Sequence, residues 1–130
     1  MNNEKLINAA SEVRKRAFAP YSNFLVGAAF ETADGEIVTG CNVESASYGL
    51  TVCAERAAIC KAVSEGKMTF TKLAVVVDTD VLTPPCGACR QVIWEFCGDI
   101  PVILANLSGR SEIIQMKDLL PRAFDTNFLK

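Results

Sequence analysis

Two short segments gather residues able to do chemistry: Cys53-Ala54-Glu55-Arg56 and Pro85-Cys86-Gly87-Ala88-Cys89-Arg90-Gln91. A C-x-x-C pair alone is weak evidence, because six cysteines in 130 residues give roughly 0.3 such pairs by chance. Read together, the segments say more. Each opens a stretch with helical patterning, and at a helix start unpaired N–H groups and the helix dipole favour a thiolate. Cys53, Cys86 and Cys89 around one Zn²⁺ would leave the fourth tetrahedral position open, the arrangement of catalytic rather than structural zinc. Such a centre carries a formal charge of about −1, which two helix N-termini at roughly +0.5 each offset. Arg56 adjoins the ligands and can donate to a thiolate sulfur, restoring the acidity of the metal. Glu55, two residues from Cys53, is placed to exchange a proton with zinc-activated water without being a ligand.

The elements that must position these residues follow from periodicity. Apolar spacing predicts a helix from Asn3 to about Ala17, before Pro20. Phe24 to Thr32 and Glu36 to Asn42 read as strands joined by the hairpin turn Ala33-Asp34-Gly35. A helix from Cys53 to Glu65 closes on Gly66. Lys72 to Asp78 reads as a strand buried on both faces. The second cysteine helix spans about Cys86 to Cys97, with Gly98 beyond it. Pro101 to Asn106 and Glu112 to Met116 are two further strands around Leu107-Ser108-Gly109-Arg110, before a short helix from Lys117 to Leu120. Recurrent strand–helix–strand units imply an α/β fold, a central mixed sheet flanked by helices, in one domain over residues 1–130.

Composition narrows the function. Half the residues are apolar, enough for a core without disulfides. A net charge of −2 with no basic stripe argues against a nucleic acid polymer as partner. Met1 to Arg16 is amphipathic and polar rather than a signal peptide, and no apolar run approaches the ~18 residues of a membrane span. The expected compartment is the cytoplasm, where cysteines serve metals or catalysis more often than disulfides. Histidine is absent, which removes His-based triads, zinc ligands and general bases. Cys41, Cys60 and Cys97 lack ligand spacing and read as small core residues, and Trp94 as packing. Arg90 can be a surface charge.

The zinc deaminases share the signature H-x-E followed by P-C-x-x-C, with three cysteines as an allowed ligand set; here Cys53 stands at the histidine position. Together with Ala19-Pro-Tyr-Ser-Asn-Phe24, Val26-Gly-Ala-Ala29, Gly40-Cys-Asn-Val-Glu44, Ala46-Ser-Tyr-Gly49, Leu119-Leu-Pro121 and Ala123-Phe124, the chain resembles the small homotetrameric cytidine deaminases over almost its whole length. That resemblance implies a three-layer α-β-α fold with a five-stranded mixed sheet. It implies Zn²⁺ on Cys53, Cys86 and Cys89, and Glu55 shuttling protons while activated water attacks C4 of free cytidine or 2'-deoxycytidine in pyrimidine salvage. Phe24 would stack on the pyrimidine, Asn42 and Glu44 would bind the ribose, and Ala54 would line the base pocket. Ala46, Tyr48 and Phe124 would complete the pocket of a neighbouring subunit. The chain departs from the family pattern at Ser45 (usually Asn), Arg122 (usually Gly) and Pro84 (usually Ser or Ala). Three other readings stay open on sequence: a structural zinc or nucleic-acid-binding module, a thiol–disulfide oxidoreductase using Cys86 and Cys89, and a deaminase of another aminopyrimidine such as blasticidin S.

Overall fold

The computed structural model describes residues 3–129; Met1 and Asn2 of the polar N-terminal stretch, and Lys130, lie outside the described residues. The element order is α1 (Asn3–Arg14), β1 (Val26–Thr32), β2 (Ile37–Cys41), a 3₁₀ turn (Tyr48–Leu50), α2 (Ala54–Ser64), β3 (Phe70–Val77), α3 (Gly87–Cys97), β4 (Pro101–Ala105), β5 (Ser111–Gln115), α4 (Met116–Leu119) and a second 3₁₀ turn (Thr126–Leu129). The first helix is shorter than its periodicity suggests. Lys15, Arg16 and Ala17 donate backbone bonds to the carbonyls of Glu12, Val13 and Arg14, a tightened last turn of the kind that commonly closes a helix. The first strand begins at Val26 rather than Phe24, because pairing with β3 starts at Val26 opposite Val77 and the Phe24 carbonyl accepts from the Asn42 side chain instead of a neighbouring strand.

The strands form one mixed sheet in the order β2-β1-β3-β4-β5. Only the β3–β4 pair is parallel. Side chains alternate across it, as strand geometry requires. Ala28, Phe30, Leu73, Val75, Val77, Val102 and Leu104 face the core beneath α2, α3 and α4. Ala29, Ala74, Val76, Ile103 and Ala105 face Leu6 and Ala10 of α1. The result is three layers, α-β-α, as the resemblance implies. No helix among the described residues is long and apolar enough to cross a membrane.

This topology decides where a site can form. Strands β2 and β3 both run antiparallel to β1, so their C-terminal ends lie at the same edge of the sheet, where β1 begins. Residues 42–53 lead from β2 to α2 and residues 78–86 from β3 to α3. Both connections leave the helix N-termini at that edge, where Cys53 and Cys86 share a cavity with Val26 and Val77 and where open α/β sheets characteristically bind ligands. Helix α2 sits tightly on β2 because Gly40 has no side chain. A Cβ at Gly40 would lie 2.5 Å from the Ala58 nitrogen and 2.6 Å from the Ala54 carbonyl oxygen. Gly40→Ala therefore cannot be absorbed by a rotamer change and must push α2 off the sheet, at a cost of about 1–3 kcal/mol. Urea unfolding should show the midpoint falling accordingly; an unchanged midpoint contradicts this account of the α2–β2 contact.

Candidate active site

Cys53 is the N-cap of α2 and Cys86 the N-cap of α3, while Cys89 lies in the first turn of α3 and is fully buried. The three Sγ atoms lie within 4.8 Å of one another. Neither cap uses its side chain to bond the helix backbone, so both sulfurs remain available. The Val43–Val52 bridge, with both of its backbone bonds at 2.9 Å, ties the residue before Cys53 to the chain leaving β2.

Charge around the sulfurs is arranged as thiolates need it. The Arg56 Nη2 lies 3.6 Å from the Cys53 Sγ and donates to the Thr51 carbonyl at 3.3 Å; its Nε is buried without a partner. The Cys53 thiol is pulled down to about 5, first by the hydrogen bond from Cys89 and then, against the cost of burial, by Arg56. Cys89 is pushed the other way, because its proton is what stabilises the Cys53 thiolate, and burial adds to this. Protons thus hold together a group of soft sulfur donors beside a guanidinium, and a dication can replace them. This donor set fits zinc: three sulfurs leave one tetrahedral position for water or substrate. Cys41, Cys60 and Cys97 stand outside the cluster. Cys97 packs against the core and burial pushes its thiol up to about 12. Cys60, expected inside, is exposed on α2.

Glu55 occupies the next position of α2 after Ala54 and is only 4% exposed. Burial raises its carboxyl to about 7, outweighing the bond from its own backbone N–H. The carboxyl opens on a cavity of about 230 Å³ lined by Phe24, Val26, Asn42, Thr51, Cys53, Ala54, Val75, Val77, Thr83, Pro84 and Cys86 as well as Glu55. The sequence marks Pro84 only as a departure from the family pattern and does not single out Val75, Val77, Thr51 or Thr83; strand alternation at Val75 and Val77 is the signal that finds two of them.

The outer residues are more committed than their types suggest. The Asn42 Oδ1 accepts from the Val26 N–H at 2.9 Å and its Nδ2 donates to the Phe24 carbonyl at 2.8 Å. One amide hydrogen remains for a ligand. Glu44 does not line the cavity; its Oε1 accepts from the Tyr21 and Ser22 N–H groups at 3.0 and 3.2 Å, and its Oε2 from the Ser22 hydroxyl. That hydroxyl, with the two N–H groups, holds its carboxyl below the ordinary carboxylate range. Asn42 and Glu44 together shape the left-handed turn at Asn23 that presents Phe24. Ala46, Tyr48 and Phe124 are exposed and do not line this chain's own cavity.

Comparison with known proteins agrees with this geometry. Residues 1–105 match the family model for the cytidine and deoxycytidylate deaminase zinc-binding region. A cytidine deaminase of Sporosarcina psychrophila is 53% identical over 125 residues, 95% of this chain and 92% of that protein. One of Halalkalibacterium halodurans is 50% identical over 125 residues, 95% of each chain. The crystal structure of the cytidine deaminase of Burkholderia pseudomallei superimposes with a TM-score of 0.91 at 48% identity, covering 95% of this chain and 100% of that one. The chain belongs to the cytidine and deoxycytidylate deaminase family, whose cofactor is zinc. Protein purified without chelators should carry one zinc per chain by elemental analysis, and Cys86→Ala should lose most of it. Metal-free wild type, or full retention in the variant, would overturn the sulfur cluster as the metal site.

Proposed function

We propose that this protein hydrolyses free cytidine and 2'-deoxycytidine to uridine and 2'-deoxyuridine, releasing ammonia, as a cytoplasmic step of pyrimidine salvage. The observation that carries the reading is the buried Glu55 carboxyl, opening with the Cys53 and Cys86 thiols on one apolar cavity sized for a pyrimidine ring. Zinc on Cys53, Cys86 and Cys89 supplies a Lewis acid that makes water nucleophilic near neutral pH. Glu55 takes one proton of the attacking water and delivers it to N3 of the ring. It then takes the proton of the hydroxyl now on C4 and carries it to the 4-amino nitrogen, which leaves as ammonia as the C4–N bond breaks and the C4 carbonyl forms. A carboxyl raised to about 7 by burial can hold or release a proton near neutrality, as such a shuttle needs. Phe24, Val26, Val75, Val77 and Pro84 exclude water from the ring faces. The remaining Asn42 amide hydrogen donates to a ribose hydroxyl, and the last free lone pair of Glu44 accepts from one.

The test is turnover of pure protein on cytidine, cytosine, cytidine monophosphate, a short cytosine-containing single strand and blasticidin S. Cytidine should have the highest kcat/KM. Cytosine leaves the ribose partners unpaired, at about 1–3 kcal/mol per group, and the phosphates meet Glu44, Glu55 and the thiolates. Glu55→Gln, which keeps the shape but cannot carry the proton, should lose at least about 10²–10⁴-fold in kcat while retaining zinc. Near-normal turnover by that variant, or a monophosphate or strand matching cytidine, refutes the reading; a preference for blasticidin S transfers it to that substrate.

The same reading includes a homotetramer with shared sites. A cavity of about 230 Å³ is smaller than the roughly 300–1,000 Å³ of sites that enclose a small molecule. Phe18, Tyr21, Tyr48 and Leu50 are left at 51–76% exposure, apolar side chains of the kind an interface covers. A second copy supplying Ala46, Tyr48 and Phe124 would close the mouth and cover these side chains. Light scattering at assay concentration should give four chains per particle, and Tyr48→Ala should raise KM; a fully active monomer excludes shared sites.

A further inference from the structure

Of the three cysteines, Cys86 has the least packing to hold it. Cys89 is fully buried and Cys53 half-buried, but Cys86 is exposed. The segment before it, from Asp78 to Pro85, contains no regular element. Its two prolines, Pro84 and Pro85, have no N–H with which to anchor it. The first half of this loop is tied elsewhere: the Asn106 Nδ2 donates to the Thr79 carbonyl at 3.0 Å and the Arg110 Nη1 to the Asp80 carbonyl at 2.7 Å. Neither bond reaches Cys86.

Arg90 does. Its Nε donates to the Pro85 carbonyl at 2.8 Å, and its backbone N–H donates to the Cys86 carbonyl at 2.9 Å. These carbonyls belong to the two peptide planes flanking the Cys86 Cα, so one residue grips both sides of it and fixes its φ and ψ. The guanidinium is itself immobilised, because Nη1 donates to the Leu119 carbonyl at 2.9 Å, on the last residue of α4. A guanidinium spans two such acceptors with rigid planar geometry, which a single ammonium does not reproduce.

We propose that Arg90 is a positioning residue for Cys86, clamping the Pro85 carbonyl to the end of α4 and so holding the least-packed sulfur beside Cys53 and Cys89. The sequence alone allows a surface charge at this position; the two side-chain bonds, to the Pro85 and Leu119 carbonyls, give it a defined task. The inference rests on the three cysteines being the zinc ligands.

The experiment compares wild type with Arg90→Met, Arg90→Lys and Gln91→Met. Gln91 serves as control because its Nε2 bonds the Phe124 carbonyl at 2.7 Å, tying the same helix to the C-terminal segment without touching the Cys86 loop. Zinc affinity, read by competition with a chromophoric chelator, should fall about 10–100-fold in Arg90→Met, the range for loss of a partner that orients a metal ligand, and transfer to the chelator should be correspondingly faster. Arg90→Lys should fall between, and Gln91→Met should match wild type. The sulfur-to-metal absorption of the Co²⁺-substituted protein should shift in Arg90→Met and not in Gln91→Met. Wild-type release and an unchanged Co²⁺ spectrum in Arg90→Met overturn the proposal, as does equal acceleration in Gln91→Met, which reduces Arg90 to general helix docking. If Arg90→Met does not fold, Arg90→Lys decides: release faster than wild type with a shifted spectrum supports the clamp, and wild-type behaviour overturns it. A wild type that binds no zinc removes the cysteine assignment and the clamp with it; a wild type that holds zinc as tightly as Arg90→Met removes the clamp alone.

Discussion

Holding three sulfurs within 4.8 Å of one another sets an electrostatic problem. As thiolates they repel, and burial of Cys89 and half-burial of Cys53 remove most of the water that would screen them. The rest of the structure can be read as the answer. Two helix N-termini point at the cluster, Arg56 lies 3.6 Å from the Cys53 Sγ, and a bound dication would neutralise what remains. No single element supplies all of these. The strand order β2-β1-β3 aligns the ends of β2 and β3, the following helices start at the same edge, and the sulfurs meet there. Gly40 completes this by letting α2 lie against β2 at backbone distance.

Much of this was legible in the sequence because it is written in local patterns. Cysteines at helix starts, an apolar run at Leu73 to Val77 and glycines at helix ends each depend on a few neighbouring residues. The three layers followed from strand–helix–strand alternation. The first helix was overextended at Ala17 because apolar spacing continues past the point where the backbone tightens to i→i−3 bonds. Cys60 was misplaced because a cysteine carries no sign of which side of an alanine-rich helix it takes.

Residues acting through long-range bonds were harder to read. Glu44 bonds Tyr21 and Ser22, more than twenty positions away, and Arg90 bonds Leu119, 29 positions away. No spacing rule connects such partners. Arg122 falls between the two cases: it takes φ +53°, in the region that favours glycine, which gives a physical reason for the glycine usual at this position in the family it resembles. Trp94 packs against the core, as its mid-helix position suggests, and also donates from Nε1 to the Asp125 carboxylate at 3.2 Å.

Glu55 shows how the same constraint reaches the chemistry. Its carboxyl sits in the first turn of α2, where the helix N-terminus favours the charged form, yet burial outweighs this and lifts it to about 7. The neighbouring Cys53 thiolate pushes in the same direction, while Arg56 opposes it. A bound dication would add a further pull towards ionisation. The carboxyl is therefore held between strong opposing fields instead of resting at an ordinary surface value. A group so balanced changes protonation state when one nearby charge moves, as it must if it accepts a proton from water and later surrenders it to nitrogen. Val26, Val75 and Val77 line the same cavity as Glu55. By keeping water from the carboxyl they maintain the burial that sets its balance.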